Sequence, residues 1–306
     1  RKGYAVTVFE AREKAGGMLR YGVPGYRLPD DDLDKDIDYI ASLGVDIRFN
    51  TRIGKDIDFE QLLQDHDAVF LSTGLSVPSS MRIHGENHAR VLSGLQVLAD
   101  VASGRDPRIG NRVAVIGGGN VAMDAARVSR RLGADVTILY RRRIADRPAD
   151  TEEIHESREE GCNIVPQAIP VEIIDADTPD QVGIKWGEAE MVQDPKGGRP
   201  RPVLQEERMH TETYDCIISA IGQGSDLEFL SSENQQQLAI EWGKFKPDEY
   251  QHTALHKLFV GGDVANRTAD AISAIEDGHH AARGIDRFLN PETSSKTHAD
   301  NRSGDT

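Results

Sequence analysis

Two segments of this chain align without a gap: GYAVTVFEAR, Gly3 to Arg12, and GADVTILYRR, Gly133 to Arg142. Each reads as the second strand of a strand–helix–strand nucleotide-binding unit. The later copy is preceded by VAVIGGGNVA, in which Gly117, Gly119 and Ala122 make the pattern G-x-G-x-x-A. Alone that match is weak, but here it follows a strand, opens a helix and has a second strand about 20 residues on, the context the pattern requires. Gly117 permits the tight turn, and Gly119 lets backbone approach a pyrophosphate. The small Ala122 lets the helix pack on the strand with its N-terminal N–H groups facing phosphate. The earlier copy has no such prelude. Laid over the later one, it would need about 18 residues ahead of Arg1. The first unit is therefore expected to lack its strand, glycine loop and helix, as an N-terminally truncated chain would.

The two aligned strands end in opposite chemistry. Glu10 can accept hydrogen bonds from both hydroxyls of an adenosine ribose, which suits FAD or NAD. Tyr140 occupies the same position in the later copy and is followed by Arg141, Arg142 and Arg143. A carboxylate would repel a 2′-phosphate, whereas guanidinium forks pair with it. The later site is expected to prefer NADPH to NADH.

Around these copies, apolar strand-length runs alternate with amphipathic helix-length stretches, so the class is α/β with parallel sheet. Strands are expected at 5–9, 45–49, 68–72, 113–116, 136–140, 215–220 and 258–260, and helices at 31–43, 59–63, 122–132, 152–160 and 269–289. Residues 74–107 read as a polar stretch, and 163–213 as antiparallel strands with DPKGGRPRP as a connecting loop. Thr73-Gly74 and Ile221-Gly222 each end a buried strand, where a glycine lets backbone pass close to a nucleotide. In LFVGGDVANRTADAISAIEDGHHAA, Asp263 after Gly262 can hydrogen-bond a polyol. The helix that follows, with Ala271 in its first turn, aims its N-terminal dipole at the same ligand. His279 and His280, two turns on, read as exposed helix residues.

Composition removes several classes. A formal charge of −15 argues against nucleic acid, whose phosphates need a basic footprint. No run of about 18 apolar residues suggests a membrane span, and a cytoplasmic location is expected. The acidic run Asp30 to Asp38 reads as a solvated helix face rather than a calcium loop, which would want glycine and a closing Glu. Two cysteines, Cys162 and Cys216, form no CxxC pair and cannot hold an iron–sulfur cluster on four thiolates. No metal site is expected.

VFEAREKAGGMLRYGVPGYRLP, VAVIGGGNVAMDAARVSRRLGA, TILYRRR, SAIGQ and FVGGDVA, in this order, resemble the glutamate synthase (NADPH) small-chain family of FAD/NAD(P)H-dependent oxidoreductases, which also includes the related module of dihydropyrimidine dehydrogenase. The resemblance covers residues 1 to about 290. It implies two Rossmann-like dinucleotide-binding domains, an NADPH domain (107–235) inserted in a discontinuous FAD domain (1–106 and 236–290), with 291–306 a disordered tail. Glu10 would then hold the FAD ribose, Gly16, Gly17 and Leu19 would line the flavin cradle, and Asp263 with the next helix would finish the site. Gly117, Gly119, Asn120, Ala122, Asp124, Arg141 and Arg142 match the NADPH-binding pattern. The family's cysteine-rich region, which binds iron–sulfur clusters, does not occur in this sequence, and RYGVPGYRLP is closer to the broader electron-input relatives than to the strict small chain.

The implied reaction passes hydride from NADPH to FAD and electrons on to iron–sulfur clusters of a larger electron-accepting subunit or fused domain. No catalytic side chain is required for hydride transfer between bound cofactors. A thioredoxin-reductase-like enzyme would need a redox-active cysteine pair, for which Cys162 and Cys216 are not placed. The remaining alternatives are a nucleotide-binding fragment without turnover and an electron-input subunit for a different reductase.

Overall fold

The structure is a computed structural model and describes residues 2–146, 149–193, 197–198 and 200–291. Its strands used below are, in chain order, β1 (Thr7–Phe9), β2 (Asp46–Arg48), β3 (Val69–Leu71), β4 (Val91–Ser93), β5 (Arg112–Ile116), β6 (Asp135–Tyr140), β7 (Asn163–Pro166), β8 (Ala168–Asp175), β9 (Val182–Val192), β10 (Arg201–Tyr214), β11 (Cys216–Ser219) and β12 (Leu258–Val260). The helices are α1 (Gly17–Tyr21), α2 (Asp30–Ser42), α3 (Phe59–Asp65), α4 (Gly94–Ala102), α5 (Asn120–Arg131), α6 (Thr151–Glu159), α7 (Ser232–Gln237) and α8 (Ala271–Leu289).

The chain divides into two compact units, each assembled from separated segments. The first holds residues 1–15, 35–77 and 224–306, the second 16–34 and 78–223. The division thus falls near 78 and 223 rather than at the 107 and 235 read from sequence, and 16–34 joins the second unit. The stretch 74–107 read as polar contains β4 and α4, and both belong to the second unit's core: β4 pairs with β11, and α4 packs on α5. Ser93 caps α4 by accepting from Gln96 N, a local signal that its neighbouring glycines and charges obscured. The expected tail lies, apart from residue 291, outside the described residues, as does part of the DPKGGRPRP loop.

In the second unit a parallel sheet runs in the order β4-β11-β5-β6-β7. Residues 163–166, expected among the antiparallel strands, are its parallel edge, paired with β6. Its central strands β11, β5 and β6 are buried on both faces. Val113, Val115, Val136, Ile138 and Ile218 face the helices with Ala122, Ala125 and Ala126 of α5. Ala114, Ile116, Leu139 and Ile217 face the antiparallel sheet β10-β9-β8 through Trp186, Tyr214, Ile173 and Ile184. Burial on both sides is why these strands read as continuous apolar runs.

The first unit contains two parallel pairs, β1 with β2 and β3 with β12. Its core joins Phe59 and Leu62 of α3 to Val69, Leu71, Leu258 and Val260, with Phe9 packed against it. A second gapless repeat relates the units: DAVFLSTG (67–74), which contains β3, aligns with DCIISAIG (215–222), which contains β11. Since β1 also aligns with β6, the pairs β12-β3 and β1-β2 correspond to β4-β11 and β6-β7. The central β5 alone has no counterpart among the described residues. Val6 and Val8, at β1, are 46% and 43% exposed.

Candidate functional site

The second unit gathers its predicted residues at the carboxyl edge of one parallel sheet, where open α/β sheets bind ligands. At the end of β5, Gly117 has φ +151, and a Cβ there would lie 2.2 Å from the Ala220 carbonyl oxygen. Only glycine fits. Ala122 is fully buried and would sit 3.0 Å from that same Cβ, so a larger side chain would push α5 off the sheet. Gly119 is the N-cap of α5 and offers no side-chain cap, which leaves the first N–H groups of the helix for an anion.

Tyr140 ends β6 with its ring turned inward under the turn: a Cβ on Gly118 would come within 2.3 Å of the ring, and the hydroxyl donates to Asp146 O at 3.1 Å. The residue aligned with Glu10 is thus a floor for the glycine turn rather than a ribose ligand. Of the three arginines, Arg143 is tied to Asp146 (Nε to Oδ2, 2.7 Å) and is held in its charged form by that carboxylate. Arg141 is exposed. The Arg142 Nε is a buried donor with no hydrogen-bond partner among the described residues. A buried unpaired N–H costs free energy unless a ligand completes it. Gly222, at φ +133 after β11, receives Ser79 N on its carbonyl at 3.0 Å.

Two further predicted residues are placed differently. Asn120 exchanges hydrogen bonds with Asp150. Asp124 is turned into the interior and accepts from Arg27 Nη1 at 2.8 and 2.9 Å. Arg27 also pairs with Glu153, whose other oxygen pairs with Arg127, and Arg127 continues to Glu160. The Tyr26 ring lies 3.6 Å from the Arg131 guanidinium and 4.7 Å from that of Arg127. This network, with α1 packed on α4, fastens residues 16–34 to the second unit. It was invisible in sequence because Arg27 and Asp124 lie far apart along the chain.

Burial pushes the Asp124 carboxyl up to about 6, with the Glu153 charge adding and Arg27 opposing. The folded protein therefore binds this proton more readily than the unfolded chain, and Asp124 destabilises the fold more as pH rises through 6. Acidification from pH 7 to 5.5 should relieve about 1 kcal/mol. Glu160, held low first by Arg131 and then by Arg127, loses its stabilisation only at more acid pH. Urea-unfolding midpoints should rise over that interval, and Asp124→Asn should flatten the rise. A wild-type midpoint independent of pH there would contradict this assignment.

In the first unit the predicted residues also cluster at strand ends. Glu10 follows β1, and its Oε1 accepts from Arg12 N at 2.8 Å. Gly74 has φ +65, and Thr73 beside it is exposed. Gly262 has φ +73 and is buried after β12. Burial raises the Asp263 carboxyl, with Lys244 pulling the other way. Asp277 Oδ2 receives Gly262 N at 2.9 Å and so braces the turn, a role sequence reading missed. Helix α8 starts at Ala271, with Asp270 as its cap accepting from Ser273 N. Gly16, Gly17 and Leu19, expected in the flavin cradle, fall instead in the second unit, where the two glycines adopt φ +123 and +50 at the start of α1 and Leu19 is 37% exposed. Cys162 and Cys216 are free and buried, and burial pushes their thiols up to about 11 and 12. Neither is a nucleophile at neutral pH.

The sequence profile of the pyridine nucleotide-disulphide oxidoreductase family matches residues 2–278. The chain belongs to that family. It is 38% identical over 308 residues to the NADP(+)-dependent formate dehydrogenase subunit beta of Moorella thermoacetica, covering 97% of this chain and 42% of that one. It is 31% identical over 304 residues to a putative glutamate synthase [NADPH] small chain of Cereibacter sphaeroides, covering 94% and 72%. The resemblance drawn from the motifs is thereby borne out, while the chain spans under half the length of the Moorella subunit. Among solved structures, Mycobacterium tuberculosis FprA in complex with NADPH matches with a TM-score of 0.77 at 17% identity, covering 98% of this chain and 82% of that one. This likeness shows the two-domain α/β fold expected from sequence. No helix among the described residues is long and apolar enough to cross a membrane.

Proposed function

We propose that the chain is the FAD- and NADPH-binding part of an electron-input subunit. The observation that carries this reading is the contrast at two aligned strand ends: Glu10 after β1, against Arg141 and Arg142 after β6. The residues present fit both groups. Gly117 makes a tight turn that any side chain would block against Ala220, the buried Arg142 Nε has no acceptor among the described residues, and Gly262-Asp263 present backbone and carboxylate beside α8. In the first unit Glu10 would hold the flavin ribose, with Thr73, Gly74, Gly262, Asp263 and Ala271 around it; Gly16, Gly17 and Leu19 keep the flavin role implied by the family resemblance. Gly117, Gly119, Asn120, Ala122 and Gly222 would shape the NADPH turn. A bound flavin would supply the hydride acceptance from NADPH and the one-electron release that no side chain here could provide. The protein's share is orientation and exclusion of water.

The acceptor is proposed to be a larger subunit or fused domain with iron–sulfur clusters. The higher identity to the Moorella formate dehydrogenase subunit than to the Cereibacter small chain favours electron input to a reductase other than glutamate synthase.

The correspondence of sheets implies that tight FAD binding needs a strand and glycine turn between β3 and β1 that the described residues do not supply. Purified residues 1–306 should bind NADPH yet hold FAD at low occupancy, measured by absorbance in the flavin bands and by bleaching with NADPH against NADH. A yellow protein with full flavin occupancy would overturn the sheet correspondence. Failure to bind NADPH would overturn the function.

A further inference from the structure

Asp150 stands at the N-cap of α6, the position where an aspartate ordinarily accepts an N–H of its own helix. It makes no such bond. Its carboxylate turns instead to the first residue of α5, where Asn120 Nδ2 donates to Asp150 Oδ2 at 3.2 Å. The pairing is reciprocal, since Asp150 N donates to Asn120 Oδ1 at 3.1 Å. One residue earlier, Ala149 N donates to Gly118 O at 3.2 Å, inside the glycine turn itself. The same return of the chain is anchored near the arginines, where Asp146 accepts from Arg143 and from the Tyr140 hydroxyl. Asp146 is therefore fastened to the residues that follow β6, and residues 149–150 to the turn that follows β5.

An asparagine amide has two N–H donors on one side and an oxygen on the other, and either flip is available to a free side chain. Here Asp150 decides the flip. Its N–H takes the amide oxygen and its carboxylate takes one N–H, leaving the second Nδ2 hydrogen beside the uncapped start of α5. We propose that Asp150 is a positioning residue for the coenzyme site: by orienting Asn120, two residues from the Gly118 carbonyl that Ala149 N holds, it presets the turn that receives the NADPH pyrophosphate. This rests on the NADPH reading above. The forgone cap on α6 is the local cost of that arrangement.

The test compares NADP+, which carries a pyrophosphate and a 2′-phosphate, with 2′-AMP, which has the 2′-phosphate alone. Binding to residues 1–306 is measured by titration calorimetry. Asp150→Ala should raise the Kd of NADP+ about 5-fold, the loss expected for one hydrogen bond, and leave that of 2′-AMP within about 2-fold. Asp150→Asn keeps the acceptor oxygen for Asn120 and should bind NADP+ at least as tightly as wild type. In an Asn120→Ala background, Asp150→Ala should have no further effect. The proposal is overturned if Asp150→Ala leaves NADP+ binding intact, weakens both ligands alike as general loosening would, fails to be rescued by Asp150→Asn, or acts equally without Asn120. Wild-type protein binding neither ligand would instead remove the NADPH reading.

Discussion

Replacing Arg141 and Arg142 together by alanine should lower NADPH affinity about 100-fold while NADH affinity stays within about 2-fold, erasing the coenzyme preference. On the proposed reading each arginine would offer a charge-assisted hydrogen bond to the 2′-phosphate, worth about 1.5–3 kcal/mol when shielded from water. Arg141 is exposed, so screening reduces its share; a factor of about 10 per arginine is the resulting expectation. Arg143 should not compensate, because Asp146 already holds it, and Arg143→Ala alone should cost less than about 3-fold. Fluorescence titration with both nucleotides reads these values. Equal losses for NADPH and NADH, or an undiminished preference in the double variant, would show that the phosphate is read elsewhere.

Gly117→Ala should destabilise the second unit by about 3 kcal/mol or more and abolish measurable NADPH binding. Two effects combine: an alanine forced to φ +151, and a Cβ 2.2 Å from the backbone oxygen of Ala220, with the carbonyl carbon at 2.9 Å. Backbone on the central strands cannot step aside as a flexible side chain could. For a unit of this size the unfolding midpoint should fall by about 10 °C. Gly104→Ala is the control, since φ is also positive there, +69, but nothing lies within 4 Å of the new Cβ; it should cost only about 1 kcal/mol. If Gly117→Ala melts with wild type and binds NADPH normally, the close approach of β5 to β11 is not a constraint on the site.

What could be read from the sequence was whatever depends on neighbours along the chain. The turn Gly117–Ala122, the strands flanking it and the charge contrast between Glu10 and Arg141-Arg142 are local patterns, because turn geometry, helix capping and strand burial each act over a few residues. The repeats carried the same information further, since two copies of a unit must pack their apolar strands alike. The first repeat paired β1 with β6 from sequence alone, and the second, DAVFLSTG with DCIISAIG, extends that pairing to β3 and β11.

Only the tertiary structure could decide which polar groups meet. Asp124 matched a binding pattern, yet Arg27 from the distant segment 16–34 claims its carboxylate. Arg143 belonged to a row of three until Asp146 removed it, and Asn120 is shared with Asp150. The edge strands β4 and β7 likewise took their places by pairing with β11 and β6, not by any pattern of their own. The physical reason is common to all of these. A hydrogen bond or ion pair forms wherever folding brings complementary groups within about 3 Å, and separation along the chain places no limit on which groups those are.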